Sequence, residues 1–222
     1  MNWEDEGYLL TKKKFRENAV IINAFTQKFG KVSGIVYGGT SRKIKNYLQI
    51  GNKIFIIHNS KNQNKIGYFK TEIVEAISPR YFNNKKKSYL LLSLTELLNS
   101  LLPDEESHKN IYLSLNNLIS KLDSNNWPIL YIFWEINLIK ELGYGFITDK
   151  INSSEEVLSI NIDNVVYKVP KFIINNEIPK NFSSYTINQG LTFTRNLLLN
   201  KFFLPNNLFF PRSRVVFENY FS

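Results

Sequence analysis

The first third of the chain alternates short apolar stretches, rich in β-branched and aromatic residues, with polar breaks. Such stretches favour strands, and no helical period separates them. We therefore predict an α+β protein whose residues 1–80 form a five-stranded OB-fold β-barrel, because closure of a barrel removes exposed strand edges. An SH3-like barrel is the nearest alternative. The predicted strands are residues 8–15, 19–26, 31–37, 53–58 and 67–77.

The pattern changes after Pro79, where leucines begin to recur at helical spacing. Pro103 ends this helix and opens a second one, and Pro128 opens a third that is apolar nearly all round. The helical period returns at residue 188, and a short helix follows Pro211. We predict a second, mostly α-helical domain over residues 81–222. It contains an irregular insert at about 146–187, with a hairpin at 157–162 and 165–169.

Positive charge is concentrated in the predicted barrel. The chain has a net charge of +9, and residues 1–80 hold 14 Lys and Arg against 6 Asp and Glu, whereas residues 81–222 hold 14 against 13. A compositional bias toward lysine would act on both halves, so the excess is a local feature. A basic domain beside a nearly neutral one indicates a polyanionic partner.

A Gly-Gly pair at residues 38–39 precedes the most basic turn of the predicted barrel. Glycine adopts positive φ without steric cost, so the chain can reverse there and present Ser41, Arg42, Lys43 and Lys45 together. Such a turn suits a nucleic-acid backbone, because Arg and Lys supply many of the contacts to phosphates. A hairpin with a solvated charge run is the alternative interpretation.

Further candidates lie on the predicted strands. Residues 12–14 are lysines that alternate between faces, so at most two point the same way, and a solvated edge strand explains them equally well. Tyr37 and Tyr47 are candidates for stacking on bases, whereas Phe55 is better suited to the barrel core. The predicted nucleic-acid-binding residues are Lys12, Lys13, Lys14, Arg16, Lys31, Tyr37, Ser41, Arg42, Lys43, Lys45 and Tyr47.

Composition excludes several kinds of catalytic or metal site. The chain has no Cys, which excludes disulfides, thiolate zinc sites and Cys nucleophiles. His58 and His108 are far apart in sequence and indicate neither a metal site nor a catalytic triad. The glycine-rich segment 34–41 lacks the G-K-[ST] ending of a P-loop. We predict a protein that is not an enzyme and that uses no cofactor and no metal.

Segments in both predicted domains form an ordered series. They are residues 3–10 (W-E-D-E-G-Y-L-L), 30–42 (G-K-V-S-G-I-V-Y-G-G-T-S-R), 48–52 (L-Q-I-G-N), 96–106 (E-L-L-N-S-L-L-P-D-E-E), 134–145 (W-E-I-N-L-I-K-E-L-G-Y-G) and 211–217 (P-R-S-R-V-V-F). In content and order, this series resembles the RecO family of bacterial DNA repair and recombination mediators. The resemblance covers almost the whole chain.

The resemblance implies an OB-fold that binds single- and double-stranded DNA, and a helical domain that contacts the single-strand-binding protein SSB. It also implies a partner, RecR, with which the protein anneals complementary strands and helps to load RecA. The acidic N-terminus and the lack of any apolar run near 20 residues predict neither a signal peptide nor a membrane span. We therefore expect a cytoplasmic, nucleoid-associated protein.

The chain departs from many relatives after the third helix, where those relatives carry cysteines that can hold zinc. Residues 147–152 read I-T-D-K-I-N here, so zinc is not carried over from the family. An RNA-binding OB-fold module of the translation machinery, with a helical adaptor domain, is the alternative function. Both functions need the same basic barrel, and only the helical segments favour DNA recombination.

Overall fold

The computed structural model describes residues 2–60, 66–145 and 155–222. It divides into two compact units, Met1–Tyr112 with Pro211–Phe217, and Leu113–Phe210 with Glu218–Ser222. The first unit therefore contains the barrel and also the first long helix that follows it. The domain boundary near residue 80 stays a prediction from sequence. Within the described residues, none of the helices combines the length and the apolarity that crossing a membrane requires.

Five strands of the first unit close into a barrel with the order β1-β2-β3-β5-β4. Strand β4 pairs antiparallel with β1, and a short parallel pairing of β3 with β5 completes the closure. The predicted five-stranded OB-like barrel is confirmed, and four of its five strands lie within about two residues of the predicted bounds, while β1 starts five residues earlier than predicted. The strands are β1 (Trp3–Arg16), β2 (Ala19–Thr26), β3 (Gly30–Tyr37), β4 (Lys53–Asn59) and β5 (Gly67–Glu75).

Alternating residues of the strands fill the barrel interior, as the two-residue period of a strand requires. Val20, Ile22, Val36 and Ile54 belong to this buried cluster, together with Phe69 of β5. The parallel closure runs through a pair of facing glycines, 34 and 67. A Cβ at position 34 would lie 2.6 Å from the Phe69 ring, and a Cβ at position 67 would overlap the His58 ring. Glycine at 34 therefore leaves room for the Phe69 ring of β5, and glycine at 67 leaves room for the His58 ring of β4.

A short helix, α1 (Arg42–Tyr47), connects β3 to β4. Behind it, the fully buried Asn52 side chain joins three parts of the chain. Its Nδ2 donates to Tyr47 O at 2.9 Å, and its Oδ1 accepts from the backbone N–H groups of Ile77 and Ser78, each at 2.9 Å. The end of α1 and the exit from β5 are thereby fixed to one side chain.

After a 3₁₀ turn at Ser78–Tyr81, helix α2 (Lys85–Leu101) runs as predicted. Helix α3 (Lys109–Ser120) begins later than the predicted start after Pro103. Instead, the segment between α2 and α3 runs beside the start of β3, where Glu105 N donates a hydrogen bond to Lys31 O at 2.8 Å. A helix could not begin there, because Glu105 has φ +59°, which lies outside the right-handed helical region.

The second unit is mostly helical, and the predicted hairpin within it is confirmed. Glu135 is fully buried and accepts hydrogen bonds from the Tyr131 hydroxyl at 2.6 Å and from the Thr194 hydroxyl at 2.5 Å. The elements that follow α3 in the chain are α4 (Trp127–Ile139), β6 (Val157–Ile162), β7 (Val165–Pro170), α5 (Lys171–Ile174), α6 (Ser184–Leu198) and α7 (Arg212–Asn219). Most of α7 belongs to the first unit. Residues 147–152, on which the zinc comparison depends, lie outside the described residues.

Replacing Asn52 by Ala is expected to lower the free energy of unfolding by about 3 kcal/mol, because the variant leaves buried backbone donors without their acceptor. The measurement is equilibrium unfolding in urea. Asn46→Ala, at an exposed position of α1, is the matched control and should change stability by less than about 0.5 kcal/mol. Equal stability of the two variants would show that the Asn52 hydrogen bonds do not hold this part of the fold together.

Candidate nucleic-acid interface

The connection from β3 to α1 is bonded to the turn between β1 and β2. Gly38 has φ +70°, its N–H donates to Asn18 O at 2.6 Å, and Thr40 Oγ1 donates to Glu17 O at 3.1 Å. The predicted use of positive φ therefore holds for Gly38. It does not hold for Gly39, where glycine is needed for space, because a Cβ would lie 2.5 Å from Val20 Cγ2.

The basic run after the predicted glycine turn is a short helix, and not the hairpin of the alternative interpretation. Ser41 is the N-cap residue of α1, and its hydroxyl accepts from Ile44 N at 3.5 Å. Ile44 packs against the barrel core, so the helical period turns Arg42, Lys43 and Lys45 outward, and all three are exposed. Among the described residues, no acidic side chain forms an ion pair with these three cations.

Lys12 connects β1 to the end of α1. Its Nζ donates to Leu48 O at 2.6 Å, at the C-terminal end of α1. The positive charge of Lys12 also balances the partial negative charge at this end of the helix. Burial lowers the pKa of Lys12, and the positive charge of Lys45 lowers it further. Lys12 therefore positions α1 and adds charge to the same region, rather than being a freely solvated lysine.

The remaining predicted cations of β1 are exposed and lie at the same end of the barrel. Lys13 and Lys14 alternate faces, and the Arg16 guanidinium lies over the Phe15 ring, 5.1 Å from its centroid. Residues 12–18 and 38–48 together carry seven Lys or Arg and one acid, Glu17. We call these residues the basic end of the barrel.

Lys31 is not part of the basic end. Its Nζ donates to Asn99 O at 2.9 Å and pairs with Asp104 Oδ1 at 3.2 Å, and its side chain is 12% exposed. Lys31 also lies six residues from Tyr37 along β3, a distance of roughly 20 Å on an extended strand. The side chain thus holds α2 and the following segment to the barrel, and we remove it from the predicted site.

Two aromatic predictions also change. Tyr47 is half-buried against the barrel core, and its hydroxyl donates to Thr71 O at 2.6 Å, so its ring is not a free stacking surface. Phe55 is half-buried outside the interior, which Ile54 and Ile56 fill on either side of it in the strand. Its predicted core position is wrong because the alternation along β4 is shifted by one residue from our expectation.

Tyr37 is 53% exposed, and its ring centroid is 5.3 Å from that of Tyr68 on β5. Sequence reasoning missed Tyr68. The signal was the alternation in β5, because an inward-facing Phe69 requires its neighbour to point outward. Within the described parts of the chain, no three His, Asp or Glu side chains come together as a metal site requires.

Changing Lys45 to Ala is expected to raise the pKa of Lys12, because it removes a neighbouring positive charge that disfavours the protonated amine. The pKa is measured by NMR titration of the lysine side-chain signals. Lys43→Ala is the control and should leave the Lys12 pKa nearly unchanged. An unchanged Lys12 pKa in Lys45→Ala would contradict the arrangement of charges at the basic end.

Comparison with known protein families matches both parts of the chain. Residues 1–77 match the family model described as Recombination protein O N terminal, and residues 84–161 match the model described as Recombination protein O C terminal. The two models together account for most of the chain, and the first coincides with the barrel.

Among its relatives, the chain is 31% identical over 172 residues to the DNA repair protein RecO of Roseobacter denitrificans, covering 77% of this chain and 69% of that protein. It is 32% identical to the DNA repair protein RecO of a Ruegeria species, covering 65% and 61%. The protein of the same name from Ehrlichia chaffeensis is 29% identical, covering 72% and 66%. The matched segments thus span about two thirds of these relatives. On both the family models and the relatives, the chain belongs to the RecO family of DNA repair proteins.

Proposed function

We propose that this chain is a mediator of recombination that binds single- and double-stranded DNA through the basic end of its barrel. The observation that carries the proposal is the arrangement of Arg42, Lys43 and Lys45, which α1 turns outward beside the cations of β1. Cations that form no ion pair with a described acid are available to phosphates. The family of the chain supports DNA as the polyanion.

Binding at this surface works through the phosphate backbone and is independent of sequence. Each phosphate that a cation neutralises releases counterions, so affinity falls as the salt concentration rises. We expect roughly four to six such contacts, which gives log K a slope on log salt of about −3 to −4 with a single strand. The rigid connection of α1 to β1 through Lys12 presents the cations together, without ordering a loop on binding.

The proposed mediator handles strands and performs no chemistry of its own. It anneals complementary strands, and with RecR it helps to load RecA on DNA that SSB covers, SSB being contacted by the helical part of the chain. The match of residues 84–161 to the C-terminal family model supports a role of this part of the chain in recombination. The alternative, an RNA-binding module of the translation machinery, has no support from the family.

The combined variant Arg42→Ala, Lys43→Ala and Lys45→Ala is expected to weaken binding to a short single strand roughly tenfold or more, for all sequences alike. The slope of log K on log salt should become shallower by about 2, because three phosphate contacts are lost. Fluorescence anisotropy at several salt concentrations measures both quantities. Annealing of complementary strands should slow in parallel.

The matched control is Lys121→Ala, Lys140→Ala and Lys180→Ala, three exposed lysines of the second unit. It removes the same charge and should leave the salt slope nearly unchanged. Urea unfolding should show both variants folded, because exposed charges contribute little to stability. If the two variants lose affinity equally, the basic end is not the DNA site and only net charge matters.

A further inference from the structure

The exposed pair Tyr37 and Tyr68 lies on the outer face of the barrel. Ile35 of β3 is the register partner of Tyr68 of β5, and Tyr37 is two residues from Ile35 on the same face. The interior neighbours of the pair are Val36 and Phe69, both buried. The two tyrosines are therefore not required to fill the core.

The rings of the pair form a small aromatic surface. Their centroids are 5.3 Å apart with an angle of 37° between the ring planes, and Tyr37 and Tyr68 are 53% and 42% exposed. Aromatic rings that remain this accessible beside cations are typical of proteins that bind single strands, since any base can stack on them.

Cations flank the aromatic pair on both sides. Across the sheet, Lys13 of β1 is in register with Ile21 of β2, then with Ile35 of β3 and Tyr68 of β5. Three strand spacings separate Lys13 from Tyr68, a distance of about 14 Å. On β5, the exposed Lys70 lies two residues beyond Tyr68 and therefore on the same face.

The pair is also close to the basic end. Tyr37 is the last residue of β3, and only the turn 38–41 separates it from Arg42. Ala19 is the register partner of both Arg16 and Tyr37. Arg16 therefore lies two strands away from Tyr37 in the same row of the sheet. A strand held through its phosphates at the basic end would bring its bases within reach of the rings.

We propose that Tyr37 and Tyr68 form a stacking platform for unpaired bases, which makes the basic end prefer single-stranded over double-stranded nucleic acid. The proposal rests on the proposed function, because it assumes that the basic end binds the phosphate backbone. Bases in a duplex are stacked on one another and do not present their faces, so the platform acts on single strands alone. It is tolerant of sequence, because every base has a π-face.

The test compares three ligands of about 20 nucleotides, longer than the site of one OB-fold. They are a single strand with bases, a single strand of abasic residues with the same phosphates, and a duplex. The double variant Tyr37→Leu and Tyr68→Leu should bind the base-bearing strand about fivefold or more weakly, the loss of one stacked base. Its affinities for the abasic strand and for the duplex should equal those of the wild type.

Two further variants exclude a folding defect and a general effect of losing tyrosine. Tyr37→Phe with Tyr68→Phe keeps both rings and should bind like the wild type. Tyr185→Leu, at a position 70% exposed in the second unit, should also bind like the wild type. Equal binding of the base-bearing strand by the Leu variant and the wild type overturns the platform, as does a similar loss with all three ligands.

The platform and the proposed function fail in different ways. If the wild type binds all three ligands with a steep salt dependence but the Leu variant is unaffected, the platform alone is wrong. If the wild type binds none of the ligands, the proposed function is wrong and the platform is wrong with it.

Discussion

The buried amide of Asn52 is the interaction on which the geometry of the basic end depends. It donates to the carbonyl of Tyr47 at the end of α1 and accepts from two backbone N–H groups where the chain leaves β5. The backbone beside it is tied to β1, with Leu9 N donating to Asn52 O at 2.9 Å. A six-residue helix is too short to be stable alone, so it is this bonding that fixes α1 on the barrel.

The placement of charge follows from how α1 is fixed. Ile44 and Leu48 face the barrel, so the other side of the helix, with Arg42, Lys43 and Lys45, faces water. Lys12 and Asn52 satisfy the last carbonyls of the helix, which would otherwise need water. The same hydrogen bonds that end the helix therefore bring a strand lysine close to Lys45, and the resulting repulsion is one reason why the pKa of Lys12 is lowered. A bound phosphate would relieve that repulsion.

The sequence was sufficient to predict the barrel, because alternation and turn residues are local signals. It was not sufficient at the basic run, because a pattern of six residues is too short to show whether its period is that of a helix or of a hairpin strand. Lys31 was assigned wrongly for a different reason, since its partners Asn99 and Asp104 lie about 70 positions away, and composition cannot reveal such pairing. Tyr68 was missed because its role depends on the register of two strands that are distant in the chain.

The most direct test of the account is to map where DNA contacts the protein. A single strand carrying photoreactive bases is crosslinked to the wild-type chain, and mass spectrometry identifies the attached peptides. Binding at the basic end and at the tyrosine pair predicts crosslinks within residues 12–16, 37–45 and 66–70, and their loss at high salt. Crosslinks confined to residues 113–210, with none in the barrel, would contradict it.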